Sequence, residues 1–276
     1  MTKVDDTQSL KNKIHDLAKE KNALILAHNY QPGEIQEIAH VSGDSLELAK
    51  IAADNKADII VFCGVHFMAE SAAMLSPEKK VLLPVIDAGC PMADTATAEK
   101  LIEKQKEHPT AKVVTYINSS AAVKAESDII CTSSNAVNII QKIDSDEILF
   151  VPDKNLAHYV QRFTDKKVIP WEGACPIHDN FTKEKLEAIK SEHEDGFVIV
   201  HPECIPEVIE LADKVLSTGH MVKFVQETDV KKIIVATEEG MIHKLKSVAP
   251  HIEYIKAASD FICPDMKKIT PEILHN

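Results

Sequence analysis

Six cysteines stand in the 276-residue chain, and three of them precede proline: Cys90 in AGCPM, Cys175 in GACPI and Cys263 in FICPD. With 13 prolines in the chain, composition alone predicts fewer than one such pair. The three are spaced by 85 and 88 residues. Proline removes an N–H and fixes φ, so each dipeptide reads as a rigid turn that can present a thiolate. No CxxC pair is present, which disfavours an ordinary structural zinc site. Three thiolates from equivalent places suit a [4Fe–4S] cluster. One iron would then lack a protein ligand and could serve as a Lewis acid. Cys63, Cys131 and Cys204 lie in or beside apolar runs and read as core thiols.

Other side chains with chemistry follow apolar runs. His28 and Tyr30, in LAHNYQ, read as a structural histidine with a half-buried aromatic, or as an acid–base pair. Ser45, Ser133 and Thr218 sit where helices start, a place that suits an N-terminal turn and equally an anion. Tyr116, Ile117 and Asn118 close one apolar run; His201, Pro202 and Glu203 close another. His201 and Glu203 could act as acid and base, or simply end a strand with Pro202 as punctuation. His178 is read either as a group beside the Cys175 thiolate or as an exposed loop side chain. No GxGxxG, Walker A, HExxH or GxSxG motif occurs.

These residues need elements to position them. Apolar runs that end in polar groups alternate with helical patterns, which argues an α/β protein with buried parallel strands. The runs recur in order with a period of about 85 residues. Each unit opens on a strand ending LAHNY, TYINS or IVHPE. A second strand is expected behind an acid (Asp58, Asp128 or Asp213) in ADIIVFCG, SDIICTSS and ADKVLSTG. A third is expected at KVLLPVID, EILFVPD and KKIIVATEEG. Three αβα units result: residues 1–107 with Cys90, 108–190 with Cys175 and 191–276 with Cys263. Ligands of open parallel sheets bind beyond the carboxyl ends of the strands. Three such units around a pseudo-threefold axis would bring the polar endings to one central site.

Composition narrows the partners. Hydrophobic residues are 45% and charged residues 27%, a globular balance. The net charge of −12 opposes a nucleic acid. No apolar run reaches a membrane span, and no leader segment is read at the N-terminus, so a cytoplasmic location with reduced thiols is expected. Arg162 is the only arginine. Carboxylates and phosphates must then be held by Lys, His, Ser, Thr, Asn and backbone N–H groups rather than by guanidinium clamps.

The segments AHNYQ, GDSLELA, FCGVHFMAE, AGCPMAD, TYINSSAAVKAESDIICTSSNAV, LFVPDKNLAHYV, WEGACPIH, HPEC, STG, ATEEGMIHKL and CPDMKK resemble the quinolinate synthase family. The resemblance runs from about residue 20 to residue 270. It implies condensation of iminoaspartate with dihydroxyacetone phosphate to quinolinate, with loss of phosphate and water, in de novo NAD biosynthesis. It implies an oxygen-sensitive [4Fe–4S] cluster on Cys90, Cys175 and Cys263. Substrate contacts are implied at His28, Ser45, Tyr116, Ile117, Asn118, Ser133, His201, Pro202, Glu203 and Thr218. Catalytic roles are expected at Tyr30, Tyr116, His201 and Glu203. A transient contact with an imine-supplying aspartate oxidase or dehydrogenase is a further expectation. Two departures stand out: the family often has Asp-Leu where Val85-Ile86 stands, and it usually continues further past CPDMKK. The same residues could also serve an iron–sulfur hydro-lyase acting on a hydroxyacid, a redox or metal-sensing protein, or a binding protein with incidental cysteines.

Overall fold

A computed structural model describes residues 3–276, with side chains from Gln8 onward. Among the described residues, twelve strands form three four-stranded sheets. The first holds β1 (Ala23–His28), β2 (Val41–Gly43), β3 (Ile59–Cys63) and β4 (Lys80–Leu82). The second holds β5 (Lys112–Tyr116), β6 (Ile129–Cys131), β7 (Glu147–Val151) and β8 (Lys167–Pro170). The third holds β9 (Phe197–Val200), β10 (Lys214–Val215), β11 (Lys232–Ala236) and β12 (Glu253–Lys256). Every pairing is parallel, and the spatial order repeats: β2-β1-β3-β4, β6-β5-β7-β8 and β10-β9-β11-β12. Parallel neighbours require crossovers, and helices supply them. The protein is thus α/β, with one sheet in each of the three expected stretches.

The repeat holds, but its first copy is offset by one strand from the sequence reading. DIIVFCG forms the third strand of its sheet, and KVLLPVID contributes the fourth. The second strand, Val41–Gly43, is three residues long and has no apolar run to reveal it. The acids show the same offset. Asp128 and Asp213 each precede a second strand. Asp128 Oδ2 accepts the Val113 N–H at 2.8 Å and Asp213 Oδ2 accepts the Val198 N–H at 2.7 Å. Both locks sit beside the central strand and pin the register. Asp58 instead precedes β3 and accepts from the Asn22 side chain at 2.8 Å. Asn22 takes φ 48°, a left-handed turn that asparagine tolerates, and leads the chain from its first helix into β1.

The chain divides into two compact units. One comprises residues 1–90 and 263–276, the other residues 91–262. In the first, Ile14 and Ala18 of the N-terminal helix pack with Ile25, Ala27, Ile35, Ile38, Cys63 and Ile269. The segment after Cys263 therefore completes the core of the first sheet's unit. In the second, Leu101, Val113, Val123, Leu149 and Val151 form one core cluster. Phe181, Val198, Val200, Ile234 and Phe261 belong to another.

Candidate functional site

The expected site residues occupy matching places in the sheets. His28, Tyr116 and His201 end or follow the central strands β1, β5 and β9. Ser45, Ser133 and Thr218 follow the second strands β2, β6 and β10. Cys90, Cys175 and Cys263 follow the fourth strands β4, β8 and β12. All lie beyond carboxyl ends, where parallel sheets bind ligands.

Each cysteine loop is tied to its sheet by one recurring bond. At the start of the helix after the third strand, its first or capping residue has a backbone N–H that donates to the carbonyl two residues before the cysteine. The bonds are His66 to Ala88 at 2.8 Å, Lys154 to Gly173 at 2.7 Å and Glu239 to Phe261 at 2.8 Å. Gly173 is needed on steric grounds, because an added Cβ would run into Thr95 Oγ1 and the Pro152 carbonyl oxygen.

In residues 91–262, buried and half-buried polar groups gather on one buried carboxylate. Tyr116 Oη donates to Glu203 Oε1 at 2.7 Å, and Asn118 Nδ2 reaches the same oxygen at 3.5 Å. His178 Nδ1 lies 2.9 Å from Glu203 Oε2 and 3.2 Å from Cys175 Sγ. His178 Nε2 meets Thr237 Oγ1 at 2.8 Å. His201 stacks at a tilt beside His178, with ring centroids 5.0 Å apart. One ligand atom from each of Cys175, His178 and Glu203 falls within 4.8 Å of the others, a grouping able to hold a cation. His178 is buried. The reading of it as a group beside the thiolate holds, and the exposed-loop reading does not.

Electrostatics follow from burial. Burial by itself would raise the Glu203 pKa, but His201 and the hydrogen bonds from His178 and Tyr116 outweigh it, and the acid is held down at about 2. His201 is lowered to about 4, chiefly by burial, so its ring is neutral at pH 7. Its Nδ1 accepts the backbone N–H of Glu203 at 3.3 Å, which puts the ring proton on Nε2. His28 repeats the device: its Nδ1 accepts the Tyr30 N–H at 3.1 Å. Two imidazoles thus present Nε2–H donors, suited to carboxylate or carbonyl oxygens in a chain short of arginine.

Asp153 was not singled out by sequence. It follows β7, caps the helix Lys154–Gln161 through the Leu156 N–H at 2.8 Å, and is fully buried. Burial and the nearby Glu203 raise its pKa well above the carboxylate range, against backbone N–H groups of Leu156, Asn155 and Cys175. Asn155 Nδ2 donates to Asp179 Oδ1 at 2.9 Å and to the Glu203 carbonyl at 3.1 Å. The signal for both lay in the matched ends of the third strands, which the offset of the first repeat obscured.

In the other unit, the rings of His28 and Tyr30 meet edge to face at 4.8 Å, and both residues are buried. Ser45 is the first residue of the helix Ser45–Asp54, whose cap Asp44 already accepts the Leu46 and Glu47 N–H groups at 3.0 and 2.9 Å. Ser217 caps the helix that begins at Thr218. Ile117 and Pro202 are buried in the loops after β5 and β9, and Ser133 is half-buried after β6.

The cysteines fall into two kinds. Cys63, Cys131 and Cys204 are fully buried. Burial pushes the Cys63 thiol up to about 12 and raises the Cys131 and Cys204 thiols as well. Such thiols are poor sources of thiolate. Cys90, Cys175 and Cys263 are half-buried on their proline turns. By burial alone these three can offer thiolates to a ligand, and the core cysteines cannot.

Comparison with known proteins identifies the family. The profile of the quinolinate synthetase A protein family matches residues 12–276. A quinolinate synthase of Methanoregula boonei is 50% identical over 267 residues, covering 97% of this chain and 88% of the relative. One from Geobacter sp. strain M21 is 52% identical over 260 residues, covering 94% and 86%. One from Caldicellulosiruptor bescii is 52% identical over 262 residues, covering 95% and 86%. Identity near one half along almost the entire length leaves a single conclusion: the chain belongs to the quinolinate synthetase A protein family.

Proposed function

We propose that this enzyme is a quinolinate synthase of de novo NAD biosynthesis, condensing iminoaspartate with dihydroxyacetone phosphate to quinolinate, with release of phosphate and water. The observation that carries the reading is the set of buried Tyr116 and His178 with half-buried Asn118 around the Glu203 carboxylate, beside Cys175, in a chain of this family. Cys90, Cys175 and Cys263 are the proposed ligands of a [4Fe–4S] cluster. When bound, the cluster supplies one iron without a protein ligand, a Lewis acid for the departure of hydroxide.

The protein groups have separate tasks. His28 and His201 offer Nε2–H donors to the carboxylates of iminoaspartate and of later intermediates. Ser45, Ser133 and Thr218, with nearby backbone N–H groups, hold phosphate and carboxylate oxygens in place of arginine. Asn118, with the backbone of Ile117 and Pro202, contacts substrate from residues 91–262. Tyr30 moves the proton of the triose carbon acid, its ring held against His28. Glu203, ionised at pH 7, is a weak base; it fixes the Tyr116 hydroxyl and the His178 ring in one orientation. Water must be kept out, because the imine hydrolyses readily. We place the enzyme in the cytoplasm, where a brief encounter with an aspartate oxidase or dehydrogenase would deliver the imine. No helix among the described residues is long and apolar enough to cross a membrane.

The test is direct. The protein is purified without oxygen, reconstituted with iron and sulfide, and given dihydroxyacetone phosphate with freshly generated iminoaspartate. Cluster-dependent quinolinate, measured by chromatography, is expected. Its absence from a cluster-loaded protein would refute the activity.

A further inference from the structure

The turn after Cys263 is tied to its unit more heavily than a surface turn requires. Asp265–Lys267 forms a single 3-10 turn after Pro264. Its Met266 and the following Ile269 are buried. Asp265 Oδ1 accepts the Gly89 N–H at 3.2 Å, a group also within 2.9 Å of the Asp87 carbonyl. Lys268 Nζ donates to that same Asp87 carbonyl at 2.5 Å and pairs with Asp265 Oδ1 at 2.7 Å. Lys267 Nζ donates to the Tyr30 carbonyl at 2.7 Å. The fully buried Gln31 donates from Nε2 to the Met266 carbonyl at 2.9 Å.

These bonds connect three stretches remote in sequence. Residues 87 and 89 lead directly into Cys90. Residue 265 follows Cys263 by two positions. Tyr30 is the proposed proton carrier. With Ala88 held by the His66 N–H, the three residues before Cys90 are each tied through a backbone group. The recurring bond is common to all three cysteine loops, and the side chains of Asp265 and Lys268 add to it at Cys90. An ion pair as exposed as Asp265–Lys268, with side chains 18% and 39% accessible, contributes little to stability. Its geometry, not its energy, is the distinguishing feature.

We propose that Asp265, Lys267 and Lys268 are positioning residues: Asp265 with Lys268 sets the Cys90 loop against Cys263, and Lys267 sets the backbone of Tyr30. The assignment rests on the reading of Cys90 and Cys263 as cluster ligands. Groups that orient metal ligands typically change metal retention by about 10- to 100-fold when removed.

The experiment compares wild type with Asp265→Ala, Lys268→Met, Asp265→Asn and Lys267→Met, each reconstituted without oxygen. Cluster loss to a ferrous chelator is followed by visible absorbance, and thermal midpoints are taken on the metal-free proteins. Asp265→Ala and Lys268→Met should lose the cluster about 10-fold faster than wild type, with unchanged midpoints. Asp265→Asn, which keeps an oxygen for Gly89, should recover part of the difference. Lys267→Met should retain the cluster yet show a lower kcat and a shifted pH profile, with KM little changed. Wild-type retention in Asp265→Ala and Lys268→Met overturns the proposal, as does a midpoint that falls in step with retention. A wild type that holds its cluster but makes no quinolinate refutes the activity and leaves the bracket standing. A wild type that takes up no cluster overturns both.

Discussion

At Glu203 a single carboxylate receives the Tyr116 hydroxyl at 2.7 Å and sits 2.9 Å from His178 Nδ1. Replacing it by glutamine leaves the side chain's size but removes the charge that both partners serve. Glu203→Gln should keep its iron, since the thiolates are intact, and lose about 10- to 100-fold in kcat, because Tyr116 and His178 lose the group that orients them. Iron content with steady-state kinetics checks both halves. His201 supports a second expectation. Its folded pKa of about 4 lies below the ordinary 6.5, so between those values the unfolded chain binds more protons. The stability of the neutral buried ring is complete above about 6.5 and is lost as pH falls toward 4. Melts of the metal-free protein should show a midpoint that falls from pH 6.5 to 5, and His201→Asn should flatten that slope. Equal slopes would count against the assignment. Sequence alone exposes Tyr116, His201 and Glu203 as strand-end residues, because a polar group after an apolar run is visible locally. It does not reveal that Tyr116 meets Glu203 across 87 positions, since that distance is closed only by two sheets folding within one unit.

Helices and loops carry their own tests. Lys166 Nζ donates to the carbonyls of Ile140 at 2.9 Å, Gln141 at 3.3 Å and Ile143, closing the end of the helix Ala136–Lys142. Lys79 does the same for the helix Ser45–Asp54 through Ala52, Ala53 and Asn55. A cation on the last carbonyls satisfies acceptors that the helix cannot. Lys166→Met should cost about 1–2 kcal/mol in denaturant unfolding. Gly173→Ala should cost about 1–3 kcal/mol, because Thr95 and the Pro152 carbonyl must give way. It should also speed cluster loss, by moving the loop of Cys175. At this scale the long strands were legible from apolar runs, and the repeat from their order. Val41–Gly43 was not, because three residues with a serine and a glycine have no periodicity to read. The offset of Asp58 followed from that one omission.

Across the molecule, two sets of cysteines separate by environment. Alanine at Cys90, Cys175 or Cys263 should abolish cluster uptake. Cys131→Ala or Cys204→Ala should keep the iron and cost on the order of 1 kcal/mol for the buried sulfur. Iron and sulfide analysis of the five variants decides between them. The even spacing of the Cys-Pro turns makes this division legible in the sequence, since it follows the repeat. The return of residues 263–276 to the unit of residues 1–90 was not readable, because nothing local marks Ile269 as part of a core begun at Ile14. That return has a consequence in time. A ribosome finishes β1 to β4 early, yet the unit they belong to lacks Asp265, Lys268 and Ile269 until all of residues 91–262 have been made. At roughly 5–20 residues per second, that interval is on the order of ten to thirty seconds. By its end the inserted unit has the strands of both its sheets, while the loop of Cys90 still waits for a partner not yet synthesised.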